Sequence, residues 1–181
     1  QALILAPTRE LADQITQEIQ NFSLFRRLTC ARLVGRQPMK SQKYQLKQRV
    51  QIVVGTPGRV WDHIEQGTLD LSQLKMIVLD EADQMFSLGL TETVHQILEQ
   101  LPSPIQTCLF SATLSPEILQ LAEITVHDPL MIQIDSPCQT NQNIRLTSLT
   151  VSNTEKLTGL LHVFSTIQAP SAIVFCDRQM T

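Results

Sequence analysis

The strongest constraint on the fold is the alternation of short apolar runs with segments of helical periodicity. Six such runs are rich in Val, Ile and Leu, and they lie at 2–5, 28–34, 51–54, 76–80, 106–111 and 130–134. Segments 10–21 and 91–101 carry apolar residues three or four positions apart, which is the spacing of one buried helix face. Strands that alternate with helices pair in parallel and are covered by the helices. The sequence therefore predicts an α/β fold with a parallel sheet.

A polar, patternless segment at 136–143 interrupts this alternation and is typical of an interdomain linker. We expect 1–135 to form most of one domain and 144–181 to begin a second one. Both ends of the sequence stop at strand-like segments, so we also expect the chain to be an excerpt from a longer protein.

The segment after the linker predicts a strand, a helix and a second strand. Residues 144–151 alternate like a strand, and 154–167 have helical periodicity with Thr154 as a candidate N-cap. Residues 171–176 form another apolar run, for which we expect a buried strand.

Composition narrows the class of protein. With 14 Lys and Arg against 17 Asp and Glu, the net charge is −3, which excludes a surface that is basic all round. Contact with a polyanion therefore requires local basic positions. The four cysteines and four histidines are scattered without zinc-site spacing, which favours a reducing compartment and no zinc. No apolar run reaches the roughly 18 residues of a membrane span. We expect a cytoplasmic protein without a membrane partner.

Three carboxylates, Asp80, Glu81 and Asp83, follow directly after an apolar strand. Ligands of parallel sheets bind beyond the carboxyl ends of the strands. Hydrolysis of a nucleoside triphosphate requires one carboxylate for magnesium and another group to act on the attacking water. An acidic turn that caps the following helix is an equally good interpretation of these residues alone.

The sequence lacks the phosphate-binding pattern G-x-x-x-x-G-K-[ST]. Segment 35–41 follows a strand and ends in Lys-Ser, but it has no second glycine and is one residue short. Pro38 also removes a backbone donor there. We therefore exclude this segment as a phosphate loop.

Four segments together resemble the DEAD-box family of ATP-dependent RNA helicases. They are APTRELA at 6–12, TPGR at 56–59, VLDEAD at 78–83 and SAT at 111–113, each at or just after a strand end. The resemblance implies a RecA-like sheet flanked by helices, with ATP and Mg²⁺ as cofactors and RNA as partner. It places the phosphate loop and its strand before Gln1, so that the sheet is incomplete. Segment 171–176 is similar to the opening strand of the family's second RecA-like domain.

The resemblance assigns roles to the acidic and hydroxyl residues. Asp80 is implied to hold magnesium through water, and Glu81 to act on the attacking water beside the metal. Asp83 is implied to link with Ser111 and Thr113, which couples ATP to RNA. A minor alternative is that Ser111 and Thr113 only cap the helix near Pro116.

The family's RNA contacts correspond to residues at three other strand ends. The candidates are Pro7, Thr8, Arg9, Gly35, Arg36, Thr56, Gly58 and Arg59. Hydroxyls, arginines and backbone donors at helix starts suit contacts to the sugar-phosphate backbone of single-stranded or locally unwound RNA. Arg36 departs from the family, whose members usually carry paired glycines here; glycines allow a close approach of the backbone to RNA, whereas Arg36 can substitute a charge contact.

The sequence thus predicts part of an ATP-dependent RNA helicase that unwinds local duplexes or remodels ribonucleoprotein. The competing hypothesis is a non-catalytic RNA-binding or regulatory protein that retains the RecA-like sheet. Segments 25–29 and 62–69 resemble bacterial members that act on ribosomal RNA, and an accessory RNA-binding domain outside this sequence is compatible with the family. The resemblance also predicts that 106–111 lacks a central neighbouring strand.

Overall fold

The computed structural model describes residues 1–23, 28–126, 128–134, 144–145, 147–167 and 170–175. The chain divides into two compact units, Gln1–Pro137 and Cys138–Thr181. The predicted segment 25–29 lies partly outside the described residues, and the predicted linker 136–143 lies wholly outside them.

The first unit is built on a parallel sheet of five strands in the order β2-β3-β1-β4-β5. The strands are β1 (Ala2–Leu5), β2 (Cys30–Leu33), β3 (Ile52–Gly55), β4 (Met76–Leu79) and β5 (Gln106–Leu109). The strands end level with one another, because Leu5 pairs with both Gly55 and Leu79. The predicted α/β fold with a RecA-like parallel sheet is confirmed.

Helices connect the strands and cover the sheet. They are α1 (Arg9–Phe22), α2 (Met39–Leu46), α3 (Pro57–Glu65), α4 (Ala82–Ser87), α5 (Thr91–Leu98) and α6 (Pro116–Thr125). Successive residues of β1 point to opposite faces of the sheet, so Leu3 and Leu5 join a large core while Ile4 packs with a smaller one. Leu11 and Ile15 of α1 complete the smaller core, as the spacing of apolar residues in 10–21 predicts.

β5 differs from the other strands because none of its residues is fully buried. It lies at one end of the sheet and pairs only with β4 among the described strands. The exposed side chains of Phe110, Leu114 and Ile124 lie in the segments that follow it. The faces and outer edge of β5 are therefore incompletely covered within the described residues.

Three predicted strands are wrong. Residues 130–134 form no strand, and Leu130 and Ile134 are 84% and 92% exposed. The described residues of 144–151 and of 171–176 also lack strand structure, and Phe175 is 91% exposed. β-branched and apolar composition favours a strand only where a neighbouring strand and a covering layer are present. None of these segments has such a partner among the described residues.

The second unit contains the predicted helix but with a different start. A 3₁₀ turn, Asn153–Glu155, leads into α7 (Lys156–Thr166). Ser152 rather than Thr154 is the N-cap of the 3₁₀ turn, because Ser152 and Glu155 form a reciprocal capping box. The prediction of Thr154 as N-cap is therefore wrong.

None of the helices in the described part of the chain combines the length and the apolar character that crossing a bilayer requires.

Candidate nucleotide and nucleic-acid site

The strand order sorts the predicted site residues along one edge of the sheet. The carboxyl ends of β2, β3 and β1 carry the predicted RNA contacts, and those of β4 and β5 carry the carboxylates and hydroxyls. Hydrogen bonds extend the ladder beyond the strands, since Asp80 N donates to Leu5 O at 3.0 Å and Phe110 N donates to Leu79 O at 2.8 Å. The two sets of loops therefore meet at the central pair of β1 and β4.

Asp80 and Glu81 form a tight turn between β4 and α4. Asp80 is half-buried, and its Oδ1 accepts a hydrogen bond of 3.0 Å from Glu81 N. Glu81 is exposed and adopts the left-handed conformation with φ 50° and ψ 52°. Its side chain makes no capping hydrogen bond to α4, although it stands at the N-cap position. A pure capping role therefore does not account for Glu81.

Asp83 connects the loop after β4 with the loop after β5. Its Oδ2 accepts hydrogen bonds from Thr113 N at 3.1 Å and from Thr113 Oγ1 at 2.9 Å. Ser111 Oγ donates to Thr113 O at 2.7 Å, which holds the second loop in a compact turn. Ala82 N also donates to Phe110 O at 3.0 Å, so the two loops are joined at two points.

The surroundings of Asp83 favour its ionised form. Partial burial raises the pKa of this carboxyl, but hydrogen bonds from Thr113 and from the backbone N–H of Gln84, together with the nearby Ser111 hydroxyl, outweigh the burial. The pKa of Asp83 therefore lies below its usual value. Ser115 caps α6 by accepting from Ile118 N at 3.4 Å, so Ser111 and Thr113 are not the caps of that helix.

Thr8 and Thr56 occupy the N-cap positions of α1 and α3. Thr8 Oγ1 accepts a hydrogen bond of 3.2 Å from Leu11 N, which leaves its hydroxyl proton free to be donated to another acceptor. Thr56 makes no capping bond with its side chain, and Pro57 begins α3. Pro7 is buried at the end of the loop that leads into α1.

Arg59, a predicted RNA contact in the TPGR segment, makes two contacts within the first unit. Its side chain is only 15% exposed, and Nε lies 3.2 Å from Asp62 Oδ2 in an ion pair. Its Nη1 donates to Gln37 O at 2.9 Å. Arg59 therefore ties α3 to the loop between β2 and α2.

Arg36 occupies the position where the sequence departs from paired glycines. It is exposed and adopts a φ of 60°, which is the left-handed region that glycine favours. Gly35 is partly exposed, and a Cβ built on it would have nothing within 4 Å. Arg36 therefore adopts the backbone conformation that a glycine favours, and its guanidinium adds a positive charge.

The sequence model of the DEAD/DEAH box helicase family matches residues 1–121. The chain belongs to this family. It is 43% identical over 176 residues to the ATP-dependent RNA helicase DbpA of Bacillus subtilis, covering 97% of this chain and 37% of that protein. It is 38% identical over 180 residues to eukaryotic initiation factor 4A of Cryptosporidium parvum, covering 99% of this chain and 44% of that protein.

A solved DEAD box protein from the hyperthermophile Methanococcus jannaschii has the same fold. Its TM-score with this chain is 0.72 at 37% identity, and the alignment covers 90% of this chain and 44% of that structure. The chain thus spans less than half the length of these DEAD-box relatives.

The acidic turn of this DEAD-box chain can supply only some of the ligands that a magnesium ion needs. Among the described residues, no group of three or more His, Cys, Asp or Glu side chains is arranged to hold a metal ion. Mg²⁺ in nucleotide sites is commonly held by one or two carboxylates together with waters and phosphate oxygens. Hard carboxylate oxygens on the half-buried Asp80 and the exposed Glu81 fit that role.

The sequence patterns did not single out three residues that shape this DEAD-box site. Gly55 ends β3, and a Cβ there would lie 2.6 Å from both Leu33 O and Val60 Cγ2. Gln42 and His63 are buried polar residues in α2 and α3. A signal was available for His63, which lies three residues after Val60 on the apolar face of α3.

Proposed function

We propose that the chain is part of an ATP-dependent RNA helicase, which couples ATP hydrolysis to local RNA duplex unwinding or ribonucleoprotein remodelling. The hydrogen bonds of Asp83 to Thr113 carry this proposal, because they join the acidic turn to the neighbouring hydroxyl loop. The names of relatives such as the Bacillus subtilis ATP-dependent RNA helicase give further support. The cytoplasm is the proposed location.

In the proposed ATPase, Asp80 and Glu81 divide the work of hydrolysis. Asp80 would hold Mg²⁺, mainly through water, and Glu81 would contribute to the same metal site. Bound magnesium neutralises charge on the phosphate oxygens. Glu81 would orient the attacking water and accept its proton, for which an exposed carboxylate beside the metal is suited. Positioning and electrostatics supply most of the rate enhancement in phosphoryl transfer.

The proposed RNA contacts lie on the adjoining half of the same edge. Hydroxyls of Thr8 and Thr56 at helix starts, together with backbone donors, suit phosphate oxygens. Arg9 and Arg36 add positive charge, and Gly58 leaves open space at the start of α3. These groups contact the backbone rather than base edges, which favours binding to many sequences. An accessory RNA-binding domain elsewhere in the protein would supply further selectivity.

The proposed coupling runs through Asp83. Thr113 donates to Asp83 from both its backbone and its side chain, so movement of either loop alters the other. A hydrogen-bonded pair of loops next to the phosphate-binding region is a suitable two-state element.

Substitution of Glu81 by Gln in the full-length protein tests the proposal. The amide keeps the size of the side chain but loses its basicity, and loss of a positioned base lowers the rate about a hundredfold to ten-thousandfold. We expect that loss in phosphate release at saturating RNA, with ATP binding retained. Glu18→Gln, an exposed carboxylate in the middle of α1, is the matched control and should turn over normally.

Near-normal turnover of the Glu81→Gln protein would contradict the catalytic assignment. RNA binding by the unaltered protein without ATP turnover would instead favour the non-catalytic RNA-binding alternative.

A further inference from the structure

A buried polar network links α2 and α3 beneath the loop that carries Gly35 and Arg36. Gln42 and His63 are 2% and 0% exposed. Gln42 Nε2 donates to Val34 O at 2.9 Å, and Gln42 Oε1 lies 3.1 Å from His63 Nε2. His63 Nδ1 lies 2.8 Å from Thr68 Oγ1. Every polar end of the Gln42 and His63 side chains therefore has a partner.

The network fixes the orientation of each side chain. Because Gln42 uses its amide nitrogen on Val34 O, its oxygen must face His63, and His63 Nε2 must carry a proton. Reversal of the Gln42 amide would place its oxygen against Val34 O and its nitrogen against the proton of His63. The Val34 carbonyl and a proton on His63 Nε2 therefore favour the same orientation of Gln42, the one in which Gln42 donates to Val34 O.

The held carbonyl lies directly before Gly35 and Arg36. On the other side of these two residues, Arg59 Nη1 holds Gln37 O at 2.9 Å. The loop is therefore anchored at both ends by side chains from α2 and α3. Between the anchors, Arg36 adopts a φ of 60°, which a non-glycine residue rarely adopts without such support.

We propose that Gln42, oriented by His63, is a positioning residue that holds the Gly35–Arg36 loop in the conformation that contacts RNA. This inference rests on the proposed function, since it concerns the same RNA-binding edge. Without the Gln42 bond, the buried Val34 carbonyl is left without its side-chain donor and the left-handed conformation of Arg36 loses one of its two anchors. RNA then has to order the loop as it binds, which weakens binding.

The test compares Gln42→Met with Thr16→Val in the full-length protein. Methionine fills the space of Gln42 without its amide. Thr16→Val also removes a buried polar group, but the Thr16 hydroxyl bonds to Ala12 O within α1 and does not touch the loop. The measurements are the Kd for fluorescein-labelled poly(U) and the RNA-stimulated ATPase rate. We expect Gln42→Met to raise the Kd and the KM for RNA about tenfold, with kcat at saturating RNA unchanged. Thr16→Val should change none of these values.

Rescue distinguishes positioning from a general packing role. His63→Gln places an amide donor where Nε2 lies, so it should restore the orientation of Gln42 and keep RNA affinity within about twofold of normal. His63→Leu removes the donor and should behave like Gln42→Met. Amide hydrogen exchange of residues 34–38, measured without RNA, should accelerate in Gln42→Met and His63→Leu only.

The outcomes separate the two proposals. If the unaltered protein does not bind poly(U), the proposed function is overturned and the RNA role of the loop with it. If the unaltered protein binds poly(U) and Gln42→Met binds equally well, only the positioning role is overturned. A fall in kcat with an unchanged KM for RNA would also overturn the positioning role.

Discussion

At the scale of single residues, the backbone conformations of Arg36 and Glu81 are the most informative. Both adopt positive φ values without being glycine, and both lie in loops of the proposed site. The left-handed conformation costs an L-residue about 1 to 2 kcal/mol relative to the right-handed one. Such outliers concentrate at functional sites, where surrounding bonds hold them in place.

Replacement of Arg36 separates its charge from its backbone conformation. Arg36→Gly removes the guanidinium and relieves the backbone, whereas Arg36→Ala removes the guanidinium and keeps the strain. We expect Arg36→Gly to have a free energy of unfolding about 1 kcal/mol higher than that of Arg36→Ala. Urea titration measures this difference, and equal stabilities would contradict it. In both variants, the salt dependence of RNA binding should weaken by about the amount that one phosphate contact contributes.

Gly55 tolerates no side chain. An added Cβ would approach the Leu33 carbonyl to 2.6 Å, and this backbone oxygen has little room to move because it accepts a hydrogen bond from Thr56 N. We expect Gly55→Ala to lower the free energy of unfolding by about 1 to 3 kcal/mol, as overpacking does. Gly58→Ala is the matched control, since a Cβ there meets nothing within 4 Å. A Gly55→Ala protein as stable as the control would contradict the close approach of β3 to β2.

His63 predicts a pH dependence of stability. Burial lowers the pKa of His63 from its usual 6.5, and the positive charges of Arg59 and Lys43 lower it further, while Asp62 acts in the opposite direction. The unfolded chain therefore takes up a proton below about pH 6.5 that the native chain resists. The free energy of unfolding should fall as the pH drops below 6.5, and His63 should contribute no slope above that value. Urea titrations between pH 5 and pH 8 should show a shallower dependence in His63→Gln, and an identical slope in both proteins would contradict this assignment.

At the scale of elements, the sequence predicted the five strands of the sheet because each apolar run has neighbours and covering helices. It failed for 130–134 and 171–176, where the same residue types have no partner strand among the described residues. The residue types of a segment show only whether it can form a strand. Whether it pairs as one depends on residues far along the chain. Local sequence likewise does not predict the hydrogen bond from Arg59 Nη1 to Gln37 O, because the two residues are 22 positions apart.

The loops after β4 and β5 should act as one unit. Ser111→Ala combined with Thr113→Ala removes the hydroxyls that organise the second loop and one bond to the Asp83 carboxylate. We expect strand separation to fall more than ATP turnover when both are measured in the same full-length preparation. Ser87→Ala is the control, because the Ser87 hydroxyl bonds to the Asp83 carbonyl and not to its carboxylate. An equal loss of both activities would indicate a folding or catalytic role instead.

At the scale of the whole molecule, the uncovered β5 should govern how the isolated 181-residue chain behaves. A strand with an open edge recruits other chains, and residues 106–109 carry neither charge nor proline. We expect this chain on its own to self-associate or to be partly unfolded, and to show no RNA-stimulated ATPase activity. Thr107→Lys should reduce association in size-exclusion chromatography, whereas Gln20→Lys on the exposed surface of α1 should not. A monodisperse, cooperatively folding monomer would contradict this expectation.

The parallel strand order also gives the first unit an edge that is suited to immobilisation. Every proposed contact residue follows the carboxyl end of a strand, so the amino ends carry none of them. The exposed Gln73 lies in the turn that leads into the amino end of β4. A tether introduced at Gln73 should therefore hold the protein on a sensor surface with its proposed RNA and nucleotide edge turned toward the solution.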